Sequence, residues 1–252
     1  QRFLASVPVY AIWDDHEVRN NFSGPHEPLM PVGRQALLEY WPIETPADDP
    51  YRLYRKVRRG ADVELFILDT RQYRSPNAEP DGQAKTMLGS AQRDWLLDGL
   101  ARSTATWKLI ATSVPLSNPK GGTTLVHGND SWARARDGTG FEAELRAIVQ
   151  TILDRKIRNV VWLAADVHYA QANAYDPSGD GAPDFHEFIC GPLSAYLNQP
   201  VLPNPAFRPT TLYSEGGFSN FGLVTVNGAS LRLQIIDGAG VVRFERAFLA
   251  QR

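Results

Sequence analysis

The chain has 252 residues, of which 43% are hydrophobic and 21% are charged, and its formal net charge is −2. These values are typical of a globular protein with a sizeable core and argue against a disordered chain. The near-neutral charge argues against electrostatic capture of nucleic acid, so no nucleic-acid partner is expected. The single cysteine, Cys190, excludes an intrachain disulfide, and no apolar run approaches the roughly 18 residues of a membrane span.

Hydrophobic periodicity predicts short helices and strands separated by long Gly- and Pro-containing loops. In chain order, the expected elements are a strand at 7–13, a helix at 33–41, strands at 51–60 and 62–70, a helix that starts near Ser90 and includes Leu100, a strand at 107–114, a helix at 141–155 and a strand at 159–166. Long loops are expected at 76–89, 115–140 and 197–212.

The C-terminal part of the sequence has a different pattern. Strands are expected near 221–226, 231–236 and 241–248, joined by Asn227-Gly228 and Asp237-Gly238, which suit tight hairpin turns. The sequence therefore predicts an α/β fold that closes with an antiparallel meander over 218–250, in one continuous domain over residues 1–252.

Two polar segments follow apolar strands in this prediction. One is 13-WDDHEVRNN-21 and the other is 164-AADVHYAQ-171. Ligand sites of α/β sheets lie beyond the carboxyl ends of strands, and Asp and His are metal ligands. In extended backbone Asp166 and His168 would point the same way and could reach one metal. The alternative is that both segments are hydrogen-bonded loops with ordinary histidines.

The stretch 13-WDDHEVRNN-21 resembles the signature of the PhoD-type alkaline phosphatases, which are calcineurin-like metallophosphoesterases. Further stretches resemble that family in the same order, so that the resemblance covers essentially the whole chain: 66–74, 88–100, 107–117, 164–170, 187–195 and 218–222. The resemblance implies a four-layer α/β/β/α fold with mixed sheets. It also implies hydrolysis of phosphate esters with the help of two or more metal ions. Members of the family are described with iron and calcium.

The same resemblance implies roles for individual residues. Asp15 and His16 match the superfamily's Asn-His-Glu/Asp motif, which makes Asp15 a metal ligand and His16 the catalytic histidine that protonates the leaving group. Asp166 and His168 match its late His-x-His motif and are expected to be metal ligands.

Three further residues are candidates for contact with the substrate. Asn20 and Asn21 belong to the signature and could bind metal or phosphate, or they could simply form a turn. Arg71 could bind phosphate, or it could form a structural pair with Asp69 beneath the site.

The substrate and the active form are left open by the sequence. A phosphate monoester or diester is expected, and phospholipase D-like hydrolysis is an alternative. The family's earlier motifs, Asp-x-His and Gly-Asp-x-x-Tyr, do not occur before Trp13. The chain is therefore expected to be a C-terminal portion, and a non-catalytic calcium-binding fragment is the second alternative. Export from the cell is expected from the resemblance alone, and the oligomeric state is open.

A second metal site is suggested by 176-DPSGDGAPDFHE-187. Asp176, Asp180, Asp184 and Glu187 fall at positions 1, 5, 9 and 12, which is the spacing of an EF-hand-like calcium loop. The flanking segments read as strands, so a polar hairpin excursion is the alternative. Glu187 also opens the family-like stretch 187–195 and could face the main site instead.

Overall fold

The computed structural model describes residues 2–120 and 128–251. Within these residues the helices are α1 (Arg2–Ser6), α2 (Met30–Tyr40), α3 (Gly89–Arg102) and α4 (Glu142–Asp154), with 3₁₀ turns at Gly24–His26 and Pro205–Phe207. The strands are β1 (Arg55–Arg59), β2 (Val63–Ile67), β3 (Trp107–Ala111), β4 (Val160–Ala164), β5 (Ala170–Tyr175), β6 (Phe185–Ile189), β7 (Pro209–Glu215), β8 (Asn220–Asn227), β9 (Ser230–Asp237) and β10 (Val242–Leu249).

The described strands form two sheets. The larger sheet has the order β1-β2-β3-β4-β6-β5-β7, and the smaller one has the order β10-β9-β8. Strands β2, β3, β4 and β6 are parallel neighbours, whereas β1, β5 and β7 pair antiparallel to theirs. The carboxyl ends of the parallel strands therefore meet along one edge of a mixed sheet, and mixed sheets are what the family resemblance implies.

Each face of the large sheet is covered by a different layer. Alternate residues of β3 and β4 point to opposite faces because the side-chain period of a strand is two. Ile110 and Trp162 pack with α3 and α4, whereas Leu109 and Val161 pack against Leu231 and its neighbours in the small sheet. The described residues thus stack as helices, large sheet and small sheet, which confirms the mixed α/β class.

Most of the expected helices and strands are present with ends shifted by a few residues, and the antiparallel meander is formed by β8, β9 and β10. The expected strand at 7–13 is wrong, since this segment pairs with no other strand in the described chain. An apolar run forms a strand only where a neighbour accepts its backbone hydrogen bonds.

Strand β7 was not expected, because it lies partly in a segment assigned to a loop, 197–212. It pairs with β5 at the edge of the large sheet and begins at a proline, which an edge position tolerates. None of the helices in the described part of the chain is long and apolar enough to cross a membrane.

Candidate metal centre

Trp13 fixes the start of the first polar segment. Its side chain is fully buried, and its Nε1 donates a 2.8 Å hydrogen bond to Oδ1 of Asp69, just beyond β2. Ser113, just beyond β3, donates from its hydroxyl to the Trp13 carbonyl at 3.0 Å. The segment is therefore attached to the carboxyl ends of two parallel strands, although it does not itself extend a strand.

A tight turn follows and sets the position of Asp15. The Asp15 carbonyl accepts hydrogen bonds from the backbone N–H groups of Val18 and Arg19 at 3.0 and 2.8 Å. The N–H of Asn21, which has a left-handed φ of 57°, donates to Asp15 Oδ2 at 2.9 Å. Since Asp15 is only 4% exposed, the turn presents its carboxylate inside the protein rather than to solvent.

The second polar segment begins at the end of β4. The chain bends here, and Asp166 and His168 have φ values of 70° and 61°. The expectation that they lie in extended backbone and point the same way is therefore wrong. Left-handed backbone at non-glycine residues is uncommon and concentrates at functional sites. Here the left-handed residues lie in the bend that leads from β4 into β5, and β5 runs antiparallel to β6.

The two segments bring three carboxylates together. Asp14, Asp15 and Asp166 each place one oxygen within 4.8 Å of the others, and we call these three residues the carboxylate cluster. The side chain of Asp166 is 4% exposed, and its Oδ2 has no hydrogen-bond partner. Three carboxylates gathered at one point, one of which keeps a buried oxygen without a partner, match the hard oxygen donors that iron(III), calcium and similar cations prefer. The residues present therefore fit a metal ion.

His168 lies beside the carboxylate cluster but is not one of the three residues that converge. Its Nδ1 is buried without a hydrogen-bond partner, and its ring packs edge-on against Tyr196 at 4.2 Å between centroids. Burial and the nearby Lys120 ammonium lower the pKa of His168, which favours the neutral imidazole that binds metals.

Arg71 lies beneath the carboxylate cluster with no exposed side-chain surface. Its Nε donates to Asp14 Oδ1 at 2.7 Å and its Nη2 to Asp130 Oδ2 at 2.9 Å. The prediction that Arg71 binds the substrate is wrong on this geometry, because its guanidinium is enclosed by protein carboxylates. The alternative ion pair with Asp69 is also not formed, since the Arg71 group that donates to Asp69 is its backbone N–H, at 3.0 Å, and not its guanidinium.

Burial and neighbouring charges shift the pKa values of two carboxylates of the cluster in opposite directions. Burial raises the pKa of Asp166 well above its usual value, and repulsion from Asp14 and Asp130 raises it further. Burial also acts to raise the pKa of Asp14, but the ion pair with Arg71 outweighs it and lowers the net value. Crowded carboxylates of this kind are stabilised by a bound cation, because it screens their repulsion.

Three residues of the site were missed or undervalued by sequence reasoning. Asp14 lies within the signature stretch 13-WDDHEVRNN-21, but the family resemblance assigns it no role. Asp130, 1% exposed, and Lys120, whose ammonium contacts Asp166 Oδ1, lie in a stretch that was assigned to a loop. No local pattern marks these two, since their partners are 59 and 46 residues away in the chain.

His16 and Asn20 lie on the exposed side of the turn. His16 is close enough to His168 to contribute to the lowering of its pKa. Asn20 and Asn21 line a cavity of about 480 Å³ together with Asn77, whose amide donates to the Asn21 carbonyl at 2.8 Å. Asn21 therefore contacts the carboxylate cluster through its backbone N–H, which donates to Asp15, and Asn20 is exposed at the end of the same turn.

The residues of the expected calcium loop are not brought together. Glu187 is fully buried on β6, where it accepts hydrogen bonds from the Leu116 N–H at 2.6 Å and the Tyr175 hydroxyl at 2.5 Å. Asp176 instead accepts the backbone N–H groups of Gly179 and Gly181. The twelve-residue loop is therefore wrong as a ligand set, because its last position lies inside the sheet.

The other two acids of this segment also bond locally. Asp184 Oδ2 accepts the Ser178 N–H at 2.9 Å, and Asp180 Oδ1 accepts the Ala182 N–H at 2.9 Å. The segment is a polar excursion between β5 and β6, which was the alternative reading.

Comparison with known proteins gives consistent results. A family model described as PhoD-like phosphatase matches residues 1–216. Alkaline phosphatase D of Bacillus subtilis (strain 168) is 30% identical over 194 residues, which are 67% of this chain and 32% of that protein. This chain therefore spans about a third of the length of the curated relative.

Two solved structures share the fold. One, described as the structure of PhoD, superposes with a TM-score of 0.74 at 22% identity over 95% of this chain and 52% of its own. The other is purple acid phosphatase PPD1 from yellow lupin (Lupinus luteus) seeds, with a TM-score of 0.51 at 12% identity over 90% of this chain and 38% of its own. These likenesses support a metallophosphoesterase type of fold.

Proposed function

The chain belongs to the PhoD-like phosphatase family, and on that premise we propose that it hydrolyses phosphate esters at the carboxylate cluster with the help of bound metal ions. The observation that carries this proposal is the convergence of three carboxylates within 4.8 Å, one of which keeps a buried oxygen without a partner. Such an arrangement is unfavourable in a purely structural role, because carboxylates repel one another when they are removed from water.

Metal binding is assigned to Asp14, Asp15 and Asp166, with the unpartnered Nδ1 of His168 as a further donor. The oxygen-rich set suits hard cations, and iron together with calcium is our proposal for the metals. When bound, such ions activate water and offset the charge that builds up on the phosphate oxygens.

The protein's own residues position the ester and supply a proton. His16 lies on the exposed rim of the site, and we assign it the role of the acid that protonates the departing alkoxide. We assign contact with the phosphate or its substituent to Asn20 and Asn21, because both line the cavity at the end of the turn that carries Asp15 and side-chain amides can donate hydrogen bonds to phosphate oxygens. Arg71 acts from below by holding Asp14 and Asp130 in place.

The substrate proposed is a phosphate monoester or diester, and export from the cell is proposed from the family alone. Two alternatives make different predictions in the same assays. A phospholipase D-like enzyme would prefer phospholipid vesicles to small soluble esters. A non-catalytic calcium-binding fragment would bind calcium and would hydrolyse neither phospholipids nor small soluble esters.

The test measures hydrolysis of p-nitrophenyl phosphate and bis(p-nitrophenyl) phosphate by the chain loaded with defined metals, together with its metal content. Asp166→Asn should lower kcat/KM by more than about 100-fold and reduce bound metal, since even outer-shell partners of a metal are worth about 10- to 100-fold. Asp98→Asn is the matched control, because Asp98 is exposed on α3 and pairs with Arg102. Equal metal content and equal activity in both variants would overturn the assignment.

A further inference from the structure

Lys120 is a cation in the site that no sequence motif indicates. We propose that its ammonium group binds a non-bridging oxygen of the substrate's phosphate group. This inference rests on the proposed function, because it names a substrate-binding residue for that same site. It also assigns to Lys120 the contact that the sequence suggested for Arg71.

The backbone of Lys120 is held firmly. Its N–H lies 2.7 Å from Asn129 Oδ1 and 3.0 Å from Ser131 Oγ, and both of these residues are fully buried. Ser131 in turn lies 2.9 Å from the Asn118 carbonyl, two residues before the lysine. The point from which the side chain leaves the backbone is therefore fixed relative to the carboxylate cluster.

The ammonium group has unused hydrogen-bonding capacity. A lysine ammonium carries three N–H donors. One is directed to Asp166 Oδ1, and no other partner of this group is found in the part of the chain that the structure describes. The Lys120 side chain is 26% exposed, whereas that of Asp166 is 4% exposed. The remaining donors thus have no protein partner among the described residues, and the side chain that carries them is partly open to solvent.

The other two cations near the carboxylate cluster are closed to solvent. Arg71 has no exposed side-chain surface, and its guanidinium is bonded to Asp14 and Asp130. Arg74 is 1% exposed and donates to the Asp130 carbonyl and to Asn77, and its nitrogen without a partner, Nη2, is buried. Of these three cations, Lys120 is the one that contacts the carboxylate cluster and is also partly exposed to solvent.

A positive charge at this position has a clear physical use. A phosphate ester is an anion, and the carboxylates around it would repel it. An ammonium that keeps one hydrogen bond to Asp166 can donate a second one to a phosphate oxygen, so it offsets this repulsion while its position is fixed. A neutral side chain of similar length would leave the shape of the site intact but would remove this attraction.

The test measures binding of inorganic phosphate by calorimetry to the metal-loaded chain, without turnover. Lys120→Met should weaken phosphate binding by about 10- to 100-fold, which is the range for one hydrogen bond to a charged group. Lys120→Arg should retain part of the affinity, because it keeps the charge. Lys156→Met is the control, since Lys156 is exposed beyond the end of α4. Metal content should be the same in all four proteins.

Three results would overturn the inference. These are a wild-type chain that binds no phosphate, an unchanged phosphate Kd in Lys120→Met, and a loss of bound metal in that variant, which would make Lys120 a support of the metal site. Circular dichroism verifies that each variant is folded, and Lys120→Arg provides a second variant that keeps the charge. If the wild type binds phosphate through Lys120 but hydrolyses no ester, the proposed function fails while the phosphate contact stands.

Discussion

Two polar regions of this protein stabilise their buried carboxyl groups in opposite ways. In the carboxylate cluster, Asp14, Asp15 and Asp166 converge, Arg71 and Lys120 lie against them, and Asp166 keeps an oxygen without a partner. Around Glu187, by contrast, a network of neutral groups surrounds one carboxyl group: Asn118, Gln171, Asn173 and Tyr175. Both oxygens of Glu187 accept hydrogen bonds.

The difference separates a functional region from a structural one. A buried carboxyl group whose oxygens are all occupied by protein donors has no capacity left for a ligand. A group of carboxylates that is only partly neutralised by the protein's own cations retains that capacity, and it is unfavourable unless something else binds there. This criterion indicates a structural role for Glu187 and favours the metal-binding role proposed for Asp166.

The largest expected effect comes from removing the cation beneath the carboxylate cluster. Arg71→Met leaves Asp130 buried without its guanidinium partner and frees Asp14 from its ion pair. Breaking a buried ion pair from one side lowers the free energy of unfolding by about 3 to 5 kcal/mol. Urea unfolding followed by circular dichroism measures this loss, and ester hydrolysis should fall with it because Asp14 is no longer held.

Two variants sharpen this comparison. Arg102→Met removes a cation that is 80% exposed, and it should change the free energy of unfolding by less than about 0.5 kcal/mol. Arg71→Lys keeps the charge but not the planar fork that spans two carboxylates, so it should lie between wild type and Arg71→Met. A stable Arg71→Met protein would show that the carboxylates beneath the site do not need this cation.

The sequence was a good guide to the fold wherever the determining interactions are local. The helix α4 and the strands β9 and β10 follow from periodicity and turn residues, because one buried face requires a regular spacing of apolar side chains. The segment 7–13 has the apolar composition of a strand but pairs with none of the described strands, whereas β7 has a paired strand but a weak apolar pattern. Pairing is a property of two segments, so one segment alone does not reveal it.

The same limit applies to the site. The sequence predicts Asp15 and Asp166 as metal ligands because each lies in a polar segment that resembles a family motif. The ion pairs of Arg71 with Asp130 and of Lys120 with Asp166 join positions 59 and 46 residues apart, and only the folded chain shows them. For this reason the sequence suggested substrate contact at Arg71, which is buried, and overlooked Lys120, which is partly open.

A smaller effect, and one that depends on pH, is expected in the network around Glu187. Burial raises the pKa of Glu187 above its usual value of 4.5, so the folded protein holds this proton more tightly than the unfolded chain. Stability is therefore lost as the pH rises from about 4.5 through the folded pKa. Glu187→Gln does not titrate, so its free energy of unfolding relative to wild type should rise over the same interval. Urea unfolding at a series of pH values measures the difference.

The matched control for this titration is Glu39→Gln, an exposed position on α2 where Gln35 donates to the carboxylate. The free energy of unfolding of Glu39→Gln relative to wild type should not rise over this pH interval. Ester hydrolysis and bound metal should be unchanged in Glu187→Gln, since the structure places Glu187 outside the carboxylate cluster. A loss of bound calcium in this variant would instead favour the ligand role that the sequence suggested.

The smallest effect is expected where the sequence suggested a second metal site. The double variant Asp176→Asn, Asp180→Asn keeps an oxygen that can accept the backbone N–H groups of Gly179 and Ala182, and it loses the acceptor of the exposed Gly181 N–H. The turn should therefore persist, and the midpoint of thermal unfolding should fall only slightly below that of wild type. Calcium titration should give the same stoichiometry, because Glu187 does not reach this segment. One calcium ion fewer per chain would mean that Asp176, Asp180 and Asp184 bind the ion without the carboxylate at the twelfth position. Cation binding would then not require the buried, partly neutralised carboxylates that distinguish the carboxylate cluster from the network around Glu187.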